Sequence, residues 1–201
     1  MKITELGLPG VFRVVPQQHS DLRGRFYEPF KRDLLADAVG HPLNIEQTNC
    51  SVSRRGTIRG IHSTMVPPGQ AKLVSCVRGA ILDIVVDIRV GSPTFGRYEV
   101  NWLDAQSAAA VYMAEGLGHA FLALTDDTCV NYHCSTPYMP EVDLHVNPLD
   151  PELALPWGLT EEPVISEKNA KAPTLAEAAD RGLLPTWADC QALYEKLRSQ
   201  R

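Results

Sequence analysis

Long apolar runs, basic clusters and paired-cysteine motifs are all missing from this 201-residue chain. Without about 20 consecutive apolar residues no helix can cross a bilayer. Met1 to Val15 also lacks the apolar core of a signal peptide, so a cytoplasmic protein with no membrane partner is expected. Nineteen Lys and Arg stand against 24 Asp and Glu, a net charge of −5, and no basic run favours nucleic acid, although local cations could hold a small anion. The five cysteines, Cys50, Cys76, Cys129, Cys134 and Cys190, include no C-x-x-C pair. They read as reduced thiols rather than disulfides or a zinc site. An H-x-H pair is absent too: His62 is followed by Ser63 and Thr64, and His119 lacks earlier partners. Three clustered ligands are the usual minimum, so neither a metal nor a cofactor is expected.

What the chain does have is punctuation. Fifteen prolines and 14 glycines divide it into short segments, which predicts many short strands. The clearest are Lys72–Val77 and Ala80–Arg89, which a tight turn at Arg78-Gly79 would join as a hairpin. In the second, Leu82, Ile84, Val86 and Ile88 share one face, while Asp83, Val85, Asp87 and Arg89 share the other. The first is a core face. The second carries charge and in a barrel could line a pocket. Further strands are expected over Val11–Val15, Arg25–Phe30, Leu43–Val52, Thr57–His62, Arg97–Leu103, Ala109–Met113, His119–Leu124 and Thr128–Cys134. This spacing suits an all-β sandwich, jelly roll or barrel. Helices are expected only late. Thr174-Leu-Ala-Glu177 is a capping box, Gly182 a stop, and Cys190, Leu193, Tyr194 and Leu197 form a helical stripe. So short a tail packs on the sheets instead of forming its own core, giving a single domain over residues 1–201.

Ionisable residues gather in three places: Arg59-Gly-Ile-His62 with Pro67–Lys72, Glu115–Phe121, and Tyr132–Tyr138. Proton transfer beside a carbonyl needs a base, a cation for the enolate oxygen and an acid. His, Lys and Tyr can fill those roles. Each also has a structural reading: a strand histidine, an edge lysine, a core tyrosine. Arg59 and His62, three apart, would point to opposite faces of a strand unless a bulge near Gly60 intervened.

Seven stretches, in order and spacing from about residue 7 to 187, resemble the dTDP-4-dehydrorhamnose 3,5-epimerase family. They are His19–Gly24, Gln47–Ser53, Gly56–His62, Pro67–Lys72, Asp87–Gly96, Glu115–Phe121 and Asn147–Pro151. The resemblance implies a cupin-like double-stranded β-helix, or jelly roll, with short C-terminal helices from about residue 174. It also implies a homodimer, no metal or cofactor, and epimerisation at C5, or at C3 and C5, of a dTDP-4-keto-6-deoxyhexose. By position His62 resembles the base, Tyr132 the acid on the opposite sugar face, and Lys72 the residue near the C4 oxygen. Arg59 and His119 resemble phosphate or sugar contacts, Gln47 and Asn49 nucleotide contacts, and Tyr138 the aromatic partner of thymine. Arg23, Phe26 and Glu28 resemble a segment reaching in from the neighbouring subunit.

The chain departs from the family where it matters. An Asp that usually pairs with the base histidine is replaced by Asn169, after Ser166-Glu-Lys168. Asp83 is the candidate substitute carboxylate. The usual aromatic at 63 is Ser63, and the frequent Glu at 143 is Asp143. A C3-only epimerase, a nucleotide-sugar binding protein with weakened turnover, and a metal-dependent cupin dioxygenase or isomerase are the competing readings.

Overall fold

The computed structural model describes residues 1–199. Alternating apolar side chains build two facing antiparallel sheets. The first runs β1 (Lys2–Glu5), β2 (Val11–Val15), β10 (Ala110–Met113), β7 (Lys72–Arg78), β12 (Thr128–Cys134) and β5 (Gln47–Ser53). The second runs β13 (Asp143–His145), β6 (Ile58–Thr64), β11 (Gly118–Ala123), β8 (Ala80–Val86) and β9 (Tyr98–Asp104). From β5 to β13 the chain switches sheets at every step except β8 to β9, which is the all-β, cupin-like jelly roll the sequence led one to expect. A hairpin of β3 (Gln18–Asp21) and β4 (Gly24–Tyr27) stands outside both sheets.

Two apolar cores result. One fills the space between the sheets and includes Val74, Ile81, Val85, Tyr112 and Phe121. The other lies on the outer face of the five-stranded sheet, where Ile84, Val86 and Ile88 meet Val146, Leu153, Trp157, Leu175 and Ala178. Both faces of β8 are therefore buried.

This corrects one expectation. β7 and β8 do not form a hairpin at Arg78-Gly79, because they belong to different sheets. Gly79, at φ 80°, carries the chain across, and a Cβ there would strike Thr125 Oγ1. Periodicity fixes which face of a strand is apolar but not which sheet the strand joins.

A second correction concerns helices, which are not confined to the end. α1 (Arg32–Val39) precedes β5, burying Leu35 and Ala36 and stopping at Gly40, whose N–H bonds Ala36 O at 2.8 Å. Its N-cap, Lys31, offers no capping side chain, so nothing in the sequence announces its start. α2 (Glu167–Ala170) is a single turn after Ser166, and α3 (Leu175–Asp180) has the expected Thr174–Glu177 capping box. α4 (Trp187–Ser199) buries Cys190 and Tyr194. It is tied to the barrel by Arg89, which forks onto Asp87 at 2.8 and 2.7 Å and donates to Tyr194 Oη at 3.1 Å. The same guanidinium sits 4.5 Å from the centre of the Trp187 ring. No helix among the described residues is long and apolar enough to cross a membrane.

Candidate active site

A cavity of about 610 Å³ opens between the sheets. β5 supplies Asn49 and Ser51, β6 supplies Arg59 and His62, and β7 supplies Lys72. His119 comes from β11, Tyr132 from β12, Asp143 and His145 from β13, Lys168 and Asn169 from α2, and Tyr138 from the loop after β12.

Simple alternation would not bring Arg59 and His62 into one cavity. β6 pairs His62 with His119 but Arg59 with Phe121, three residues against two. This bulge turns both side chains inward. It is centred on Gly60, at φ 113°, where a Cβ would run into His119 O and lie 2.7 Å from Ala120 Cα. Only glycine meets both demands.

His62 is half-buried. Burial, together with the nearby His145 and Lys72, pushes its pKa down to about 3, with Asn169 and Asp143 opposing. The ring is therefore neutral at pH 7, the form a proton acceptor requires. Burial also lowers the pKa of Lys72, against the opposing pull of Cys134 and Asp143. No hydrogen bond or ion pair engages the Lys72 ammonium among the described residues, which leaves it free for a ligand oxygen. Tyr132 approaches from the opposite sheet with Oη 3.2 Å from Ser51 Oγ, and burial raises its phenol well above the usual range. It stays protonated and able to donate. Arg59 is steadied through Nε to Ser53 Oγ at 3.0 Å.

Asp83 does not serve His62. Its Oδ1 accepts from His119 Nε2 at 2.6 Å, beneath the cavity floor, and Oδ2 is buried without a partner among the described residues. The cause is register: β11 pairs with β8 on one side and β6 on the other, so His119 lies between Asp83 and His62. His62 Nε2 instead faces the Asn169 side chain, the neighbour that the family resemblance implied.

Asp143 accepts from His145 Nε2 at 2.8 Å and from Lys168 Nζ at 2.9 Å. Burial pushes its carboxyl up, but the bonds from His145 and Lys168 outweigh this and hold it well below the usual carboxylate range. Gln47 stands one layer back, accepting from Tyr138 N at 2.8 Å and donating to Asn49 Oδ1 at 2.7 Å. Arg23, Phe26 and Glu28 do not reach this cavity. Arg23 is engaged by Asp21 at 2.5 Å, Glu28 by Lys31 at 2.6 Å, and Phe26 is 67% exposed. His145 was not anticipated. Its ring stands 4.8 Å from that of His62, and the only clue was Asp143 two positions earlier on the same strand face.

The fold and cavity define a jelly-roll protein with a neutral imidazole and a phenol on facing walls, beside a free ammonium. The family profile described as dTDP-4-dehydrorhamnose 3,5-epimerase matches residues 5–177, and the chain belongs to that family. It is 49% identical over 198 residues to the dTDP-4-dehydrorhamnose 3,5-epimerase of Mycolicibacterium smegmatis, covering 98% of each chain. To the dTDP-4-dehydrorhamnose 3-epimerase of Streptomyces niveus it is 50% identical, covering 96% of this chain and 93% of the relative. The solved structure of ChmJ, a 3'-monoepimerase from Streptomyces bikiniensis in complex with dTDP-quinovose, superposes with a TM-score of 0.93 at 49% identity, over 96% of this chain and 98% of that one.

Proposed function

We propose that this single domain epimerises a dTDP-4-keto-6-deoxyhexose at C5, or at C3 and C5, by proton abstraction and reprotonation. One observation carries the reading: His62 and Tyr132 enter the same cavity from opposite sheets, with the unpaired Lys72 ammonium beside them. Hydrogens at C3 and C5 are acidic because their loss gives an enolate conjugated with the C4 carbonyl. His62 takes the proton, Lys72 lowers the energy of the enolate oxygen, and Tyr132 returns a proton from the other face. Inversion requires two faces, which two facing sheets supply. Arg59 and His119 bind phosphate or sugar, with Asp143 and Lys168 completing the rim. Gln47 and Asn49 hold the nucleotide, and Tyr138 stacks on thymine. An arginine fork suits a diphosphate.

We further propose a cytoplasmic homodimer in which Arg23, Phe26 and Glu28 complete the partner's site. Their exposure on the outlying β3–β4 hairpin, with Glu28 just after it, supports this. A C3-only reaction is the second reading, supported by the 50% identity to the S. niveus 3-epimerase. Turnover of dTDP-4-keto-6-deoxyglucose in deuterium oxide, followed by NMR, tests both. Deuterium at C5 supports the first, deuterium at C3 alone supports the second, and binding without exchange would leave a nucleotide-sugar binding protein.

A further inference from the structure

The two ring nitrogens of His62 have unequal surroundings. Nε2 lies 3.1 Å from Asn169 Nδ2 and 3.4 Å from Asn169 Oδ1. The orientation of that amide is not free. Nδ2 lies 2.6 Å from Gly60 O, a carbonyl that can only accept. On the other side, Ser166 Oγ accepts the backbone N–H of Asn169 at 3.2 Å and donates its own hydrogen to Oδ1 at 2.7 Å. Exchanging the amide's oxygen and nitrogen would set two acceptors 2.6 Å apart around a buried side chain. The second N–H of the amide is thus left for His62 Nε2, which must accept it. A neutral imidazole that accepts at Nε2 carries its hydrogen on Nδ1. His62 Nδ1 has no hydrogen-bond partner among the described residues and is not among the sealed polar atoms, so it opens on the cavity.

We propose that Asn169 is a positioning residue that sets the proton placement on His62: the resting ring presents Nδ1–H to the sugar, and it becomes a base only when the amide turns over. In that step the ring hydrogen leaves Nδ1 for solvent and a solvent proton binds Nε2, with no net change in charge. Asn169 Oδ1 then accepts Nε2–H; Gly60 O loses its donor and faces a second acceptor unless the side chain draws back, which makes this the minor state and the one that must be reached for turnover. The geometry stands independently of the epimerase reading, but the kinetic consequence rests on it. Leaving a buried carbonyl unpaired slows the step by roughly tenfold to a hundredfold. A carboxylate at position 169 cannot donate, so it would hold Nε2–H permanently and free the Nδ1 lone pair.

The test is ¹⁵N–¹H NMR of the histidine rings at pH 7 in the full-length protein, wild type and Asn169→Asp, with His62→Gln identifying the signal. The expected result is Nδ1–H in the wild type and Nε2–H in Asn169→Asp. dTDP affinity should be unchanged and kcat for solvent exchange at least about tenfold higher in the variant. Nε2–H in the wild type, or Nδ1–H in both proteins, overturns the proposal. The expected tautomers with equal kcat overturn its kinetic half. The expected tautomers with no turnover of dTDP-4-keto-6-deoxyglucose by either protein overturn the epimerase reading and leave the proton placement standing.

Discussion

His62 and His145 meet edge to face, with ring centroids 4.8 Å apart and planes at 73°. The second imidazole is bound to Asp143 and the first to a neutral amide, so the charge-bearing partner sits on the histidine that the sequence did not single out.

That pairing contributes to the pH dependence. His62 is held down to about 3 by burial, then by His145 and Lys72. Its folded-state pKa lies below the ordinary value, so the ring stays neutral to low pH. His145→Gln removes one of these influences and Asn169→Asp adds an opposing charge, and each should move the titration of His62 upward. The acidic limb of kcat/KM reports the free base and should follow. A limb unmoved in both variants would remove His62 from the acceptor role.

Tyr132→Phe should separate exchange from inversion. The base can still remove a proton and return it to the same face, so deuterium washes in while net epimerisation falls by about 10²–10⁴-fold. Equal losses in both rates would mean that Tyr132 positions the sugar without donating to it.

Gly60→Ala should destabilise the protein by about 2–4 kcal/mol, because a side chain at φ 113° is strained and its Cβ would collide with the β11 backbone. Urea unfolding measures the loss. The surviving folded fraction should lose activity as well, since the bulge aims both Arg59 and His62.

Glu115, which does not line the cavity, gives a further prediction. Burial raises its carboxyl to about 6, and Oε2 is sealed without a partner among the described residues. Between its ordinary value of 4.5 and about 6 the folded state keeps a proton that the unfolded state has released. The stabilisation is therefore complete below 4.5 and lost as pH rises through about 6. Glu115→Gln should remove about 2 kcal/mol of that loss. Denaturation at pH 5 and pH 8 should show the variant gaining on the wild type at the higher pH. A constant difference would place the carboxyl at its ordinary value.

Mixing Arg23→Ala with His62→Ala should restore activity if sites are shared. Random exchange makes half the dimers hybrid, each with one intact site, so about a quarter of wild-type activity is expected. No recovery after confirmed subunit exchange would assign each site to one chain.

The strands and late helices were legible because their signals are local. Val11–Val15 and Thr128–Cys134 match their expected bounds, and the Thr174 capping box is present. β13 was missed because Asp143-Leu-His145 is too short and polar to show a period, and His145 was missed with it. The false hairpin at Gly79 and the misassigned partner of Asp83 share one cause. Both depend on which strands lie side by side, a long-range fact that alternation within a strand does not carry.

The bridge between Thr57 and Val164 has a consequence for biogenesis. It lays a late segment against the start of β6 and so brings Ser166 and Asn169 up to His62, more than 100 positions after it in the chain. During synthesis the barrel strands through β12 are complete before α2 leaves the ribosome. Loop closure over such a distance is slow compared with local pairing. A chain ending near residue 150 would hold most of the cavity wall but not Asn169, the amide that faces its imidazole. Competence therefore arrives last, when a single helical turn docks on a barrel already formed.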